Sequence, residues 1–398
     1  MISVEDARSR ILAGLKPVAT EMVALTQACG RVLAQPVRAR LTMPPADVSA
    51  MDGYALRAAD ALQGAVLKLI GEAPAGHPFA GQVNKGEIVR LFTGSVVPQG
   101  ADTVLIQENT KAQGHEVQVT EAVTLGKNIR RAGQDFLTGD AVLTPGKRLS
   151  VRDIGLAGAA GYPFLCVYRR PRVAILCTGD EIALPGEPLP AGGIANSNAA
   201  MLAAFVTAHG GEPVLLPIAK DTQDAVAAGA QAARGADLLL TTGGASVGAH
   251  DLVQSGLAQE GFSLDFWKIA MRPGKPLIFG HVQGLPILGL PGNPVSSYVC
   301  ATLFLASALA ALSGLNPAPP RFEPARLAAP MKANDQREDY VRAFAQRDDQ
   351  GWVVTPLPVQ DSGMLSALSH AGALIRRCPH APAIAAGDIV EILPLGDV

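Results

Sequence analysis

Residues 242–251 read Thr-Gly-Gly-Ala-Ser-Val-Gly-Ala-His-Asp and directly follow an apolar run at 238–241. The run has the length of a buried strand, and the glycines after it leave backbone N–H groups uncovered by side chains. Such a loop can bind phosphate or another oxyanion, and a following helix adds its dipole. Asp251 adds a carboxylate, which suggests a phosphate ester held with a divalent cation. A purely steric turn would need the same glycines, so these ten residues alone leave both interpretations open.

Around this loop, residues 171–315 alternate between apolar runs of strand length and longer helical patterns. This order predicts a doubly wound parallel α/β sheet, in which ligands bind at the carboxyl ends of the strands. The predicted strands are 173–177, 213–218, 238–242, 266–270, 277–279 and 286–288. The predicted helices are 198–209, with Ser197 as N-cap, and 222–234, 251–260 and 295–312. Polar turns that follow three of the strands should therefore share one edge: 178–181, 220–221 and 243–251.

The remaining chain has a different pattern. An amphipathic helix is predicted over 4–15, and segments punctuated by Gly and Pro up to residue 170 predict β structure. Pro317-Ala318-Pro319-Pro320 marks a linker, and residues 322–398 predict a small β domain. We therefore expect a multidomain α/β plus β protein, with β-rich N-terminal domains, a central α/β domain and a small C-terminal domain resembling a β-barrel.

Composition excludes several classes of protein. Of 398 residues, 48% are hydrophobic and 5% are aromatic, and the net charge is −2, so no nucleic-acid partner is expected. The scattered cysteines lack CxxC spacing and the N-terminus lacks a signal peptide, which together indicate a cytoplasmic protein with reduced thiols. Residues 294–315 carry no charge and could span a membrane by length. Their Ala- and Ser-rich composition favours a buried helix, and no membrane association is expected.

Two constellations in the α/β region suggest chemistry. Glu181, Asp221 and Asp251 could each be a solvated turn or cap residue, yet three converging carboxylates would require a cation. The turn 268–276 holds Lys268, Arg272 and Lys275, which could bind an anion or simply be solvated. The Pro-Gly-Asn-Pro turn at 291–294 starts a helix whose N-terminus would face an anion. No Ser-His-Asp or Cys-His pairing is evident, so charge neutralisation is favoured over covalent catalysis.

The N-terminal half contributes three shorter motifs: Ser49-Ala50-Met51-Asp52-Gly53-Tyr54-Ala55, the turn at Thr93-Gly94, and Asn128-Ile129-Arg130-Arg131 with Asp135. Taken alone, the first two are turns beside strands. The arginine pair suits an oxyanion, although a surface ion pair is the commoner explanation.

Taken together and in this order, the motifs resemble the molybdopterin molybdenumtransferase family, or MoeA family, which includes the gephyrin E domain. The motifs are Ser49–Ala55, Thr93-Gly94, Asn128–Arg130, Thr178–Glu181, Gly243–Asp251, Pro273–Pro276 and Leu290–Pro294. The likeness extends from the opening helix to the last β domain.

The resemblance implies an elongated homodimer and a division into four domains. These are a discontinuous linker and dimerisation domain at 1–45 and 138–170, an inserted β-rich domain at 46–137, a molybdopterin-binding α/β domain at 171–316, similar to molybdopterin adenylyltransferase, and a C-terminal β domain at 320–398. It also implies that the protein inserts molybdate into adenylylated molybdopterin with release of AMP, supported by Mg²⁺. The implied protein partners are the molybdopterin adenylyltransferase and molybdoenzyme-maturation proteins.

The resemblance also implies roles for particular residues. The catalytic residues would be Asp52, Thr93, Arg130, Asp135, Glu181, Asp221, Asp251, Lys268 and Arg272. Those binding substrate would be Gly243, Gly244, Ser246, Gly248, Lys275, Pro291, Pro294 and Ser362. The metal ligands would be Glu181, Asp221 and Asp251.

Two positions depart from the family pattern. Arg272 stands where the family usually has Lys, and Gln134 stands where Glu is common.

Two other functions are alternatives to molybdate insertion. A molybdopterin adenylyltransferase shares the glycine-rich domain, but that function would leave residues 1–165 and the C-terminal domain without a purpose. A gephyrin-like binding scaffold would not need the complete set of polar motifs.

Overall fold

A computed structural model describes residues 1–243 and 250–396, without the side chains of His250 and Asp251. Its helices are Val4–Ala13, Val151–Ala159, Ser197–Ala208, Gln223–Ala232, His250–Gln259, Pro294–Cys300, Ala306–Leu312 and Leu365–Ser369. A π-helical segment, Ala301–Leu305, joins Pro294–Cys300 to Ala306–Leu312. Short 3-10 turns lie at Leu25–Gln27, Ala58–Asp60 and Gln107–Asn109.

The N-terminal region is rich in β structure, as expected. Short antiparallel pairs join Thr20–Ala24 to Phe164–Tyr168, Val37–Arg38 to Ala141–Leu143, and Val48–Ser49 to Ile129–Arg130. Between them lies a sheet in the order Thr103–Ile106, Gly53–Leu56, Glu87–Leu91, Val66–Ala73, Glu116–Val119, Thr110–Gln113. The chain therefore leaves the first region near residue 45 and returns to it near residue 140. The division into four domains at the boundaries given above stays a prediction.

The α/β sheet positions the candidate site. Its order is Glu212–Leu215, Arg172–Cys177, Leu238–Thr242, Leu285–Leu290, Pro276–Val282, Phe262–Lys268. The first strands in this order, up to Leu285–Leu290, run parallel to their neighbours, which confirms the doubly wound core. The last two run antiparallel, unlike the all-parallel sheet expected. Gln283-Gly284 joins Pro276–Val282 to Leu285–Leu290, and residues 269–275 join Phe262–Lys268 to Pro276–Val282. Both connections are too short for a parallel crossover.

The C-terminal sheet is closed. Its order is Met271–Arg272, Glu338–Asp348, Gly351–Pro356, Glu323–Leu327, Ile389–Pro394, Ala373–Arg377, and Glu338–Asp348 pairs again with Ala373–Arg377. This closure confirms the barrel-like domain expected from the sequence. Met271–Arg272 comes from the α/β region, so it connects the two domains through backbone hydrogen bonding.

The apolar stretch after Pro294 forms the central helix of the core. Pro294–Leu312 is long and apolar enough to cross a membrane, but 72% of its most apolar window is buried inside the protein. It packs against the opening helix and the Ser197–Ala208 helix, within the largest hydrophobic cluster of the described residues. Its composition therefore reflects burial between the α/β sheet and the N-terminal helix.

Candidate active site

A cleft of about 650 Å³ opens at the carboxyl ends of the Arg172–Cys177 and Leu238–Thr242 strands. Parallel strands end at the same edge, which is where ligands bind in this class of sheet. Four predicted site residues line the cleft: Glu181, Gly243, Pro291 and Pro294. Burial raises the pKa of the Cys177 thiol, which also lines the cleft, so this group is neutral and unsuited to nucleophilic attack.

An amide inside the cleft wall holds three elements together. The Asn198 Nδ2 group donates hydrogen bonds to Thr242 Oγ1 at 2.9 Å and to the Gly292 carbonyl oxygen at 2.7 Å. The Thr242 hydroxyl in turn donates to the Pro291 carbonyl oxygen at 3.2 Å. Asn198 is 9% exposed. The sequence predicted that it lies in a helix but did not indicate this contact with the cleft. The signal available was a polar residue in the first turn of an otherwise apolar helix.

The predicted carboxylates are exposed at the edge of the sheet. The Asp221 backbone N–H donates to Asp180 Oδ1 at 3.4 Å, so the turns after two neighbouring strands meet. The Glu181 carboxylate folds back over Gly179, where a Cβ would come within 2.6 Å of Glu181 Oε2. Among residues 1–243 and 250–396, no group of three potential metal ligands is assembled. The predicted metal site also requires the Asp251 side chain, which lies outside the described residues, and stays a prediction.

The glycine-rich loop is described only at its start. Gly243 has a φ of +103°, and a Cβ there would lie 2.2 Å from the Thr178 carbonyl oxygen, so the close approach of the two strand ends requires glycine. Gly244, Ser246 and Gly248 lie outside the described residues, and their predicted role in binding stays a prediction.

The C-terminal domain reaches the cleft through the loop that carries Ser362. The Ser362 Oγ accepts a hydrogen bond from Asn293 Nδ2 at 2.7 Å, and its carbonyl oxygen accepts from Val295 N–H at 3.1 Å. This loop therefore packs on the Pro291–Pro294 turn, and its next residue, Gly363, lines the cleft.

Arg342 supports the same loop and was not singled out from the sequence. It is 1% exposed and donates to the Asp361 carbonyl oxygen at 2.9 Å, while its buried Nη1 has no hydrogen-bond partner among the described residues. Burial lowers the pKa of this guanidinium. An arginine between the apolar residues Val341 and Ala343 was the available signal, because such a charge is rarely buried without a partner.

The predicted cations lie between the end of the Phe262–Lys268 strand and the start of the Pro276–Val282 strand. Lys268 Nζ lies 3.4 Å from the centroid of the Trp267 ring, and Lys275 is exposed. Arg272 forms ion pairs with Asp339 and, at 3.2 Å, with Asp335 of the C-terminal region. The hydrogen bond that Arg272 donates to the Asp339 carboxylate is the main cause of the raised pKa of Arg272. The structure therefore places this guanidinium at a domain contact.

The N-terminal residues form a second group around their own sheet. Asp52 Oδ1 accepts hydrogen bonds from the Thr93 backbone N–H at 2.7 Å and hydroxyl at 2.9 Å, and the backbone bond lowers the pKa of Asp52. Arg130 and Asp135 are exposed, and within the described residues neither has an ion pair. Arg131, by contrast, pairs with Asp47 at 2.5 Å. These contacts unite Asp52 with Thr93 but do not join them to the cleft.

Comparison with known proteins places these features in a family. Models of the MoeA N-terminal region (domain I and II), a probable molybdopterin binding domain and the MoeA C-terminal region (domain IV) match residues 2–161, 174–311 and 324–395. A molybdopterin molybdenumtransferase from Haemophilus influenzae is 33% identical, over 99% of this chain and 98% of the relative. The chain belongs to the molybdopterin molybdenumtransferase family.

Other members of the molybdopterin molybdenumtransferase family support this placement. A relative from Nostoc sp. is 37% identical, over 81% of this chain and 76% of its own length. A crystal structure of a molybdopterin biosynthesis MoeA protein from Pyrococcus horikoshii superposes over all of both chains, with a TM-score of 0.87 and 26% identity. The family resemblance, the fold class and the expectation of a transferase are thereby confirmed.

Proposed function

We propose that this chain inserts molybdenum from molybdate into adenylylated molybdopterin and releases AMP. The observation that carries the proposal is the cleft at the carboxyl edge of the sheet, within the region that matches a molybdopterin binding domain. Relatives that match over almost the full length of this chain are named molybdopterin molybdenumtransferase. Their names support molybdate insertion rather than the adenylyltransferase alternative. A scaffold would need no cleft of this size.

The chemistry of the substrates agrees with the cleft. Molybdate is a dianion, and adenylylated molybdopterin carries a pyrophosphate, so both need cations and N–H donors. The helix that begins at Pro294 directs its N-terminus at the cleft and favours negative charge there. Asn198 and Ser362 fix the Pro291–Pro294 turn from two sides, so this anion-binding end is held in position before substrate arrives.

We further propose that Glu181 and Asp221 hold Mg²⁺ together with oxygens of the substrate phosphates. Their carboxylate oxygens are the donors that Mg²⁺ prefers, and such sites use one or two protein carboxylates. Bound Mg²⁺ would neutralise charge that develops as the phosphoanhydride breaks. Asp251 is the third candidate ligand.

The N-terminal group suggests a shared cleft. Asp52 and Thr93 lie in turns beside the six-stranded N-terminal sheet, and Arg130 lies on a short strand paired with Val48–Ser49. Within the described residues, their contacts do not join them to the cleft of their own chain. In a homodimer these residues could complete the cleft of the partner subunit. We therefore propose a homodimer with clefts built from both subunits, acting in the cytoplasm, where reduced cysteines are usual.

AMP release tests the proposed function directly. The purified protein should release AMP from adenylylated molybdopterin only when molybdate is added. With free molybdopterin and ATP it should form no adenylylated product. AMP release that is equal with and without molybdate, or adenylylation of free molybdopterin, would contradict the proposal.

A further inference from the structure

A small pocket of about 200 Å³ lies at the opposite edge of the α/β domain from the cleft. Arg169 and Arg170 contribute to it immediately before the Arg172–Cys177 strand begins, whereas the cleft opens where that strand ends. Its other walls come from the N-terminal region and from the end of the Ser197–Ala208 helix. The residues that line it are Cys29, Gly30, Arg31, Val32, Arg148, Tyr168, Arg169, Arg170, Thr207, Ala208, Gly210 and Ser313.

Arginine dominates the charge of this pocket. Arg31, Arg148, Arg169 and Arg170 line it, and none of its described lining residues is acidic. Carboxylates outside the pocket compensate two of these charges: Glu21 pairs with Arg31, and Asp237 pairs with Arg169 through both of its oxygens, at 2.6 and 2.5 Å.

The other two guanidinium groups lack a counter-charge. Arg148 donates only to carbonyl oxygens, of Gly30 at 3.0 Å and His209 at 3.4 Å. Arg170 is exposed, and across residues 1–243 and 250–396 neither Arg148 nor Arg170 has a carboxylate within 4.0 Å. Two uncompensated positive charges therefore face one small volume.

A hydroxyl adds a donor to the same volume. Ser313 is only 5% exposed, and its side chain has no hydrogen-bond partner within the described part of the chain. Arginine forks and a serine O–H donor are the groups that bind tetrahedral oxyanions.

We propose that this pocket binds a free tetrahedral oxyanion, with inorganic phosphate as the model ligand. At about 30 Å³ per water, its volume equals roughly six or seven waters, which accommodates one oxyanion with its neighbouring waters. Nucleotide-sized ligands usually occupy about 300 Å³ or more, so the volume favours a free anion over a phosphoryl group of a nucleotide. The bound anion would connect the N-terminal region to the α/β domain and stabilise that contact.

Phosphate binding to the full-length protein tests this proposal. Isothermal titration at constant ionic strength should give about tenfold weaker phosphate binding for Arg148→Ala and for Arg170→Ala. Arg170→Ala removes no side-chain hydrogen bond to the described part of the chain, so it separates loss of the site from loss of folding. Arg152→Ala, which removes an exposed arginine on the Val151–Ala159 helix, is the matched control and should bind phosphate as the unchanged protein does.

Two further measurements identify the occupant and its location. AMP should not compete with phosphate for the pocket. If AMP does compete, and Arg170→Ala abolishes that competition, the pocket prefers the phosphoryl group of a nucleotide, which would contradict the proposal of a free anion. Crystals soaked in tungstate should show an anomalous peak between Arg148 and Arg170. Unchanged phosphate binding in both variants, or anomalous density confined to the cleft, would overturn the proposal, and neither result depends on molybdate-dependent AMP release.

Discussion

At the scale of single residues, Arg272 shows how an arginine differs from the lysine usual in the family. Its planar fork reaches Asp339 and Asp335 at the same time, which a lysine ammonium cannot reproduce with the same geometry. Asp339 is 8% exposed, so its carboxylate depends on this partner for compensation. The cation expected to bind substrate is therefore also a contact between the α/β and C-terminal domains.

Substitution of Arg272 should affect stability and activity together. Arg272→Ala leaves Asp339 without its partner and should lower the free energy of unfolding by about 1–2 kcal/mol, since the partly exposed guanidinium is screened by water. It should also lose molybdate-dependent AMP release. Arg272→Lys keeps one charge and should retain most of both properties. Urea denaturation and the AMP assay measure the two effects, and equal losses in both variants would show that the fork geometry is essential.

At the scale of elements, the sequence predicted strands and helices well because their apolar periodicity is local information. Leu238–Thr242 has the predicted bounds, but the helix expected behind Ser197 begins one residue earlier, because the Asn196 side chain accepts from Ala199 N–H. Which of several adjacent polar residues caps a helix depends on their backbone angles, and these cannot be read from the sequence. The side-chain partners of Arg272 and Asn198 lie at least 62 and 44 residues away, so no local pattern could predict them.

The capping of the Val151–Ala159 helix gives the protein a defined acid sensitivity. Asp153 accepts from the Ser150 backbone N–H at 2.8 Å and from Lys147 Nζ at 2.6 Å. Burial opposes these bonds, yet together they lower the pKa of Asp153 from 3.8 to about 2. A lowered pKa means that the folded protein gains stability above pH 4 and loses it as the pH falls toward 2.

Replacement of this carboxylate should flatten that dependence. Asp153→Asn should remove about 1 kcal/mol of stability at pH 6 and little at pH 2, the value being reduced because Lys147 is half exposed. Urea denaturation at both pH values measures the difference. Asp224→Asn is the control, because Asp224 occupies the first turn of another helix without a side-chain hydrogen bond. A pH profile of Asp153→Asn parallel to that of the unchanged protein would contradict the prediction.

At the scale of the whole molecule, the candidate site residues fall into two groups on different sheets. Glu181 and Pro291 line the cleft, and Ser362 hydrogen-bonds to its Pro291–Pro294 turn. Asp52 and Thr93 instead hydrogen-bond to each other beside the N-terminal sheet. The sequence identified both groups by their motifs but not their relative placement, because that depends on how domains and subunits pack. A shared cleft in a homodimer reconciles the two groups with one reaction.

Complementation between two inactive variants tests this central claim most directly. Asp52→Ala and Glu181→Ala should each fold and dimerise, yet release AMP at least about 100-fold more slowly, the loss expected for one transition-state contact. After subunit exchange in an equal mixture, half of the dimers are mixed and carry one intact cleft of two, so molybdate-dependent AMP release should recover to about a quarter of that of the unchanged protein. A mixture that stays as inactive as its components, although mass spectrometry detects mixed dimers, would contradict the shared cleft.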